Sequence, residues 1–152
     1  MQEKMLQVKI DGKEKTYREG TRYLDAAQEL QKYADSRIVL ASVNGRLKEL
    51  TKKMKDGDEI CLLTLKDKNG LMTCRRSMIL LMLKAVYTVG GFELVDRVGV
   101  HYSVGSGFYV TISGEKKTEP TFLKQVEQTM REMVEKKLPI TKTSISTDEA
   151  IE

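Results

Sequence analysis

Two dipeptides that favour tight hairpin turns, Asp11-Gly12 and Asn44-Gly45, constrain the fold of the N-terminal half more than any other feature. The first separates two short extended runs, and the second directly follows the strongly apolar run Ile38–Val43. Asparagine or aspartate followed by glycine readily adopts the positive φ angles that two-residue hairpin turns require. The pattern therefore predicts a hairpin at each dipeptide.

A helix is predicted between these hairpins, and a last strand after them. Apolar residues recur at helical spacing from Leu24 to Ala34, and Glu59–Leu65 has the composition of a strand. The predicted order is two strands, one helix and three strands. This is the order of a ubiquitin-like β-grasp, an α+β fold.

The second half of the sequence predicts another α+β unit. The polar, turn-rich segment Lys66–Gly70 indicates a boundary, so we place the domains at residues 1–66 and 67–152. A helix is expected from about Thr73 to Val89, and its apolar residues cover most of its circumference, which predicts burial on more than one side. Two strands joined at Gly105–Gly107 and a long C-terminal helix with Pro120 in its first turn follow.

A capping-box pattern, Ser146-Thr147-Asp148-Glu149, predicts the start of a further helix close to the C-terminus. The few residues that follow do not provide enough length to complete that helix. We therefore expect the second domain to be truncated at its C-terminal end.

The composition excludes several classes of protein. With 32% charged residues and no run near the roughly 20 apolar residues of a spanning helix, the sequence predicts a cytoplasmic protein without a membrane partner. The formal net charge of +4 suits an anionic partner such as RNA. Cys61 and Cys74 lack metal-binding spacing, and buried packing roles are expected for both.

The first half contains four short segments in a fixed order: Val8–Gly12, Glu19-Gly20-Thr21, Ala41–Gly45 and Asp56-Gly57-Asp58. Together they resemble the TGS domain found at the start of threonyl-tRNA synthetases, in some GTPases and in stringent-response enzymes. The resemblance implies the same β-grasp fold that the strand order predicts.

Residues 70 to 152 resemble the second additional domain shared by threonyl- and alanyl-tRNA synthetases. The frame of that family's zinc-binding helix is kept by Arg75, Ser77, Leu81 and Ala85. In the family, two histidines one turn apart on this helix help to bind zinc and hydrolyse mischarged tRNA. Here Arg76 and Leu80 replace those histidines. A guanidinium has no free lone pair and leucine has no donor atom, so neither binds a metal. The resemblance thus implies no metal site and no catalytic residue.

The combination of a TGS domain with a second domain that lacks its histidines also resembles the N-terminal half of bacterial nucleoside kinases related to uridine kinase. This implies a non-catalytic accessory module, regulatory or binding RNA or a nucleotide-like ligand, without a cofactor of its own. Its partner would be a downstream kinase domain beyond residue 152 that transfers phosphate with ATP and magnesium. Two alternatives remain open: the inactive editing region of a threonyl-tRNA synthetase-like enzyme, and a tRNA-editing deacylase.

Five basic residues are candidate contacts for an anion or for RNA. Lys52, Lys53 and Lys55 belong to the densest basic run, and Arg75 and Arg76 are expected near a helix N-terminus, which favours anions. The alternative is a solvated basic face, with one arginine paired to an acidic neighbour.

Three aromatic residues of the second half, Tyr102, Phe108 and Tyr109, could stack on bases. Aromatic residues are only 6% of the sequence and Phe108 falls where a strand would bury it, so we expect core packing instead. The single histidine, His101, is expected to have a structural or surface role.

Overall fold

The computed structural model describes residues 4–114 and 119–151 and is of the α+β class. The strands are β1 (Met5–Ile10), β2 (Lys13–Arg18), β3 (Ile38–Val43), β4 (Arg46–Lys48), β5 (Glu59–Thr64), β6 (Arg97–Val104) and β7 (Gly107–Ser113). The helices are α1 (Tyr23–Leu30), α2 (Lys68–Leu94) and α3 (Pro120–Glu135), and a short 3₁₀ helix, Gln31–Tyr33, follows α1.

The first five strands form one mixed sheet in the order β2-β1-β5-β3-β4. Strands β1 and β5 are parallel neighbours at its centre, and the hairpin partners are antiparallel. Both predicted hairpin turns are present, with positive φ at Asp11, Gly12, Asn44 and Gly45. The predicted β-grasp fold is confirmed.

Alternation of apolar and polar residues places one face of this sheet against α1. Strand β1 alternates exposed and buried positions along its whole length. The buried core of this sheet and helix comprises Leu6, Val8, Ile10, Tyr23, Ala26, Ala41, Val43, Met54 and Ile60. Cys61 lies on the opposite, exposed side of β5, so its expected buried packing role is wrong. Cys74 is half-buried.

Helix α2 begins at Lys68, about one turn before the predicted start, because Asp67 organises its N-terminus. One carboxylate oxygen of Asp67 accepts hydrogen bonds from the Thr64 amide, at 2.7 Å, and the Thr64 hydroxyl, at 2.9 Å. These hydrogen bonds, the amide first, hold the pKa of Asp67 below its ordinary value. Helical geometry breaks at Gly91, with φ 71°, two residues beyond the predicted end at Val89.

The expectation that this central helix is buried on more than one side needs correction. Ala85 and Val86 are buried, but Met78 is 47% exposed and Leu80 54% exposed. The described elements pack mainly against the C-terminal half of α2. Apolar side chains that do not face these elements, such as Met78 and Leu80, are exposed to solvent. Of the described helices, α2 alone is long and apolar enough to cross a membrane, a criterion that core helices of soluble proteins also meet.

The second sheet is the β6-β7 hairpin, which packs with α2 and α3 around a second core. That core contains Ala85, Val86, Val95, Phe122 and Val126, with Val98, Ile112 and Met130 packed against it. Further along, the predicted capping box forms: the Ser146 hydroxyl and the Glu149 amide are 3.3 Å apart, and the Ser146 amide donates to Glu149 at 2.9 Å.

By its internal contacts the chain divides into one unit up to Met78 and another from Ile79 onward. This division lies inside α2, whereas the predicted boundary at residue 66 lies where the first sheet ends. Gly70 partly explains why the first unit extends beyond residue 66. A Cβ at this position would overlap the Thr64 carbonyl oxygen, so the glycine lets the helix approach the end of β5 closely. The first turn of α2 therefore packs directly on the end of β5.

Candidate nucleic-acid interface

Three of the five candidate residues, Lys52, Lys53 and Lys55, lie together in the loop that joins β4 to β5. All three are exposed, whereas Met54 between them is 4% exposed and packs in the first core. Burial of Met54 anchors the loop from inside while its lysine neighbours remain in solvent. Among the described residues, none of these lysines has a carboxylate partner within salt-bridge distance.

The backbone of this loop is paired with the segment that leads into α1. The Tyr23 amide donates to the Lys52 carbonyl at 3.0 Å, and the Met54 amide donates to the Thr21 carbonyl at 2.8 Å. Arg22 and Lys53 form an antiparallel β-bridge, which places their side chains on the same side of the paired segments. Arg22 is exposed and therefore adds a fourth cation to the loop.

A buried carboxylate holds the loop at its other end. Asp58 is 3% exposed, and its Oδ2 accepts hydrogen bonds from the Tyr23 hydroxyl at 2.6 Å and the Lys55 amide at 2.8 Å. Its Oδ1 accepts one from the Asn44 side-chain amide at 3.2 Å. Burial, followed by the hydrogen bond to Asp58 and its charge, raises the pKa of Tyr23 well above the ordinary value. Tyr23 is therefore a neutral donor at physiological pH.

Lys48 begins the basic run, Lys48–Lys55, and has a structural role. Its ammonium lies 3.4 Å from the Tyr23 hydroxyl and 5.7 Å from the centre of the Tyr23 ring, and the residue is half-buried. This cation–π geometry holds Lys48 against the core. The run therefore separates into one cation held by the fold and three that face solvent. We call Arg22, Lys52, Lys53 and Lys55 the basic loop.

Arg75 and Arg76 lie elsewhere, in the second and third turns of α2. Because the helix begins at Lys68, the expectation that they lie near its N-terminus is wrong, and the helix dipole gives them little help in binding anions. Arg75 is half-buried and Arg76 is exposed. No hydrogen bond or ion pair in the described part of the chain joins them to the basic loop. Their role as anion contacts stays a prediction.

The positions that correspond to the family's zinc histidines are four residues apart on α2. Both positions face solvent, since Arg76 is exposed and Leu80 is 54% exposed. Neither side chain can coordinate a metal. Over residues 4–114 and 119–151, no group of three or more histidine, cysteine, aspartate or glutamate side chains is placed to hold a metal ion. The residues present do not fit a zinc ion.

Restoring the two histidines should create a weak metal site on this frame. Side chains at i and i+4 of a helix are neighbours, so the double variant Arg76→His, Leu80→His should bind zinc. We expect zinc at a hundredfold above the dissociation constant to raise the free energy of unfolding of this variant by about 2.7 kcal/mol. Thermal unfolding with and without zinc measures this. The matched control is Leu80→His alone; equal zinc responses of the single and double variants would contradict the helical frame.

Comparison with known proteins identifies the first unit. The TGS domain family matches residues 9–64, the segment that contains β5, α1 and the basic loop. The chain also resembles threonine–tRNA ligases: it is 33% identical to that of Thermotoga petrophila over 148 residues, which is 95% of this chain and 22% of the relative. It is 33% identical to the threonine–tRNA ligase of Thermotoga maritima over 150 residues, which is 97% of this chain and 23% of the relative.

The chain therefore contains a TGS domain. This domain is homologous to the N-terminal region of threonine–tRNA ligase. The more distant relative from Staphylococcus aureus strain N315, another threonine–tRNA ligase, is 28% identical over 142 residues. The chain spans about a fifth of the length of the curated relatives it matches.

These relatives overturn part of the functional expectation. The prediction that the parent enzyme is a nucleoside kinase related to uridine kinase is wrong, because the homologous proteins are tRNA ligases. The expectation of ATP and magnesium as kinase cofactors falls with it, since it depended on that parent. Nothing in the comparisons supports a downstream kinase domain as partner.

Two features of the interface were missed at the sequence level. Arg22 is an isolated basic residue before an amphipathic helix, and only the β-bridge to Lys53 brings it to the loop. In the sequence, Asp58 stands out only as part of the Asp56-Gly57-Asp58 segment that resembles the TGS domain, whereas in the structure it is the carboxylate that fixes the loop. Its position directly before a strand, beside a glycine, gave no indication of burial.

Proposed function

We propose that this chain is a non-catalytic N-terminal region of a threonyl-tRNA synthetase-like protein and that it binds tRNA through the basic loop of its TGS domain. It would act in the cytoplasm as an accessory module that holds RNA for another part of the same protein. The central observation is the clustering of Lys52, Lys53 and Lys55, exposed and anchored on a buried network, within the segment that matches the TGS family.

The chemistry of the loop supports contacts to phosphates. Four cations on two paired segments, with Arg22 and Lys53 joined by a β-bridge, match the regular negative charge of an RNA backbone. Hydrogen bonds from the loop to the Thr21 carbonyl and to Asp58 limit its movement, so little ordering entropy is lost when RNA binds. Phosphate contacts of this kind position RNA without reading its sequence.

The lack of catalysis in this proposal follows from the residues at the zinc frame. Arg76 and Leu80 do not provide ligands, and His101 is engaged with the Thr111 hydroxyl at 2.8 Å. The similarity to threonine–tRNA ligases extends over 95% of the chain, which supports a common origin of the second unit as well. We therefore propose an editing-type domain that has lost hydrolysis.

A charge-removal variant tests the proposal. Replacing each of Lys52, Lys53 and Lys55 by glutamine in one triple variant should weaken the binding of unmodified tRNA. Each phosphate contact releases counterions, so the slope of log K against log salt concentration should become less negative by about 2 to 3. Fluorescence anisotropy over a series of salt concentrations measures both quantities. Circular dichroism checks that the exposed substitutions leave the fold intact.

The matched control removes three lysines from the second unit. Glutamine at Lys124, Lys136 and Lys137 changes the net charge equally, so a general charge effect would alter both triple variants alike. The proposal predicts that only the loop variant loses most of the salt dependence. Absence of tRNA binding even at low salt would refute it, and so would chelator-sensitive hydrolysis of mischarged tRNA, which requires a metal.

A further inference from the structure

The β6-β7 hairpin has two chemically different faces. Val98 and Ile112 pair with each other and pack against the second core, and Val110, two residues from Ile112 on the same strand face, is half-buried. The opposite face is exposed and carries rings and polar groups in place of aliphatic side chains. We call this the aromatic face; it comprises Arg97, His101, Tyr102, Tyr109, Thr111 and Ser113.

A β-bulge creates this face. Val100 pairs with Val110 and Ser103 pairs with Phe108, so two residues, His101 and Tyr102, lie opposite the single residue Tyr109. A bulge of this kind redirects a side chain that regular alternation would send to the other face. Both rings consequently contact Tyr109, with centroid distances of 5.3 Å to Tyr102 and 5.5 Å to His101.

Neighbouring residues fix the cluster in place. The His101 Nε2 lies 2.8 Å from the Thr111 hydroxyl across the hairpin. The imidazole occupies space that Gly99 leaves free: a Cβ at Gly99 would lie 3.0 Å from Nε2 and 2.9 Å from the Thr111 hydroxyl oxygen. The Tyr102 and Tyr109 rings are nearly parallel, at 22°. The cluster is therefore ordered by a bulge, a glycine and a hydrogen bond.

The two tyrosines are nevertheless left in solvent. Tyr102 is 63% exposed and Tyr109 47% exposed, and no described element covers them. The expectation that they pack in a core is therefore wrong. Within the described hairpin, Val104 beside the turn is the one aliphatic residue with comparable exposure. A surface of stacked rings that shares its strand face with hydroxyls, an imidazole and Arg97 suits a flat polar ring better than an apolar protein surface.

We propose that the aromatic face stacks unpaired nucleobases of the RNA. The inference rests on the proposed RNA-binding function and adds a second contact, specific for single-stranded segments, in the second unit. Surfaces that bind single-stranded RNA combine exposed aromatic rings with positive charge, and every base has a face that can stack. The exposed part of the Tyr102–Tyr109 pair accepts the base. Arg97, two residues from Gly99 on the same strand face, is available for the phosphate.

The test measures binding of a labelled oligouridylate of about ten nucleotides, a length within the usual site sizes. Tyr102→Ala and Tyr109→Ala should each weaken binding about fivefold to a hundredfold, which is the usual range for loss of one stacked base. Tyr102→Phe and Tyr109→Phe keep the ring and should bind close to wild type. Binding of a fully paired RNA duplex should be unchanged in all four variants.

The outcomes separate this inference from the proposed function. If the lysine variant loses RNA affinity while both alanine variants bind the oligouridylate normally, the aromatic face has no role in RNA binding and the basic loop retains its role. If the wild-type chain binds no RNA, both ideas fail. Concentration-dependent self-association that the alanine variants abolish, without any change in RNA binding, would show that the face contacts protein instead.

A spectroscopic readout does not depend on the variants. Addition of the oligouridylate to the wild-type chain should shift the ring resonances of Tyr102 and Tyr109 upfield, because the base stacks on this pair of rings. The resonances of Tyr33, which is 75% exposed in the first unit, provide the internal control. Equal small shifts at all three tyrosines would overturn the assignment.

Discussion

Replacing Tyr23 with alanine is expected to lower the free energy of unfolding of the first unit by about 3–5 kcal/mol, the usual cost of removing a large aromatic side chain from a core. Tyr23 is fully buried, and its hydroxyl donates to Asp58 at 2.6 Å. Its loss creates a cavity and leaves a buried carboxylate with one donor fewer. Urea denaturation monitored by circular dichroism measures the change.

Two further variants separate the causes. Tyr23→Phe retains the ring but removes the hydroxyl, and about 1–3 kcal/mol should be lost because Asp58 remains buried without that donor. Tyr33→Ala removes a tyrosine that is 75% exposed and should change stability by less than about 0.5 kcal/mol. A Tyr23→Phe variant as stable as wild type would contradict the role of the buried hydrogen bond in anchoring the basic loop.

Phe122→Ala should destabilise the second unit by about 3–5 kcal/mol for a similar reason. Phe122 is 3% exposed and packs in the core with Val86, Val95 and Val126. A Cβ at Gly90 would lie 3.4 Å from its ring, which shows how closely α2 and α3 approach at this point. Hydrogen exchange at the amides of β6 and β7 measures the loss, since these strands pack on the same core.

The neighbouring residue supplies the control. Leu123 is 46% exposed, so Leu123→Ala should have a much smaller effect on exchange, within about 1 kcal/mol. If both variants accelerate exchange of the β6-β7 amides equally, Phe122 is not the central residue of this core. If neither does, the hairpin is stabilised by contacts other than those described.

The fold of the first unit could be predicted from the sequence because its turns and strands are locally encoded. Asp11-Gly12 and Asn44-Gly45 specify backbone conformations that few other residue pairs adopt, and the structure has positive φ at all four positions. Ile38–Val43 agrees with the observed limits of β3. Here local propensity and tertiary packing favour the same structure.

The start of α2 could not be predicted because Gly70 has a tertiary role. In the sequence it stands in a polar segment and indicates a loop, whereas in the fold it lies in the first helical turn, where only hydrogen fits beside the Thr64 carbonyl. The hydrogen bonds from Thr64 to Asp67 set the helix start, and they depend on where β5 ends. A local pattern cannot indicate such a contact.

The candidate interfaces were predictable to different degrees. The lysines of the basic loop are visible as a basic run, whereas Arg22 and Asp58 join it only through pairing between distant segments. The sequence predicts core packing for Tyr102 and Tyr109 because aromatic residues are few and Phe108 falls where a strand would bury it. The bulge at His101 and Tyr102 breaks the regular alternation of the strand, and bulges of this type leave no clear sequence signal.

The most direct test of RNA binding by the basic loop is to map amide chemical shifts of the isotope-labelled wild-type chain as unmodified tRNA is added at near-physiological salt. We predict the largest shifts at Arg22 and at Lys52, Lys53 and Lys55, decreasing as salt rises because counterion release drives the contact. Shifts confined to other surfaces of the TGS domain, or none at any salt concentration, would contradict the account.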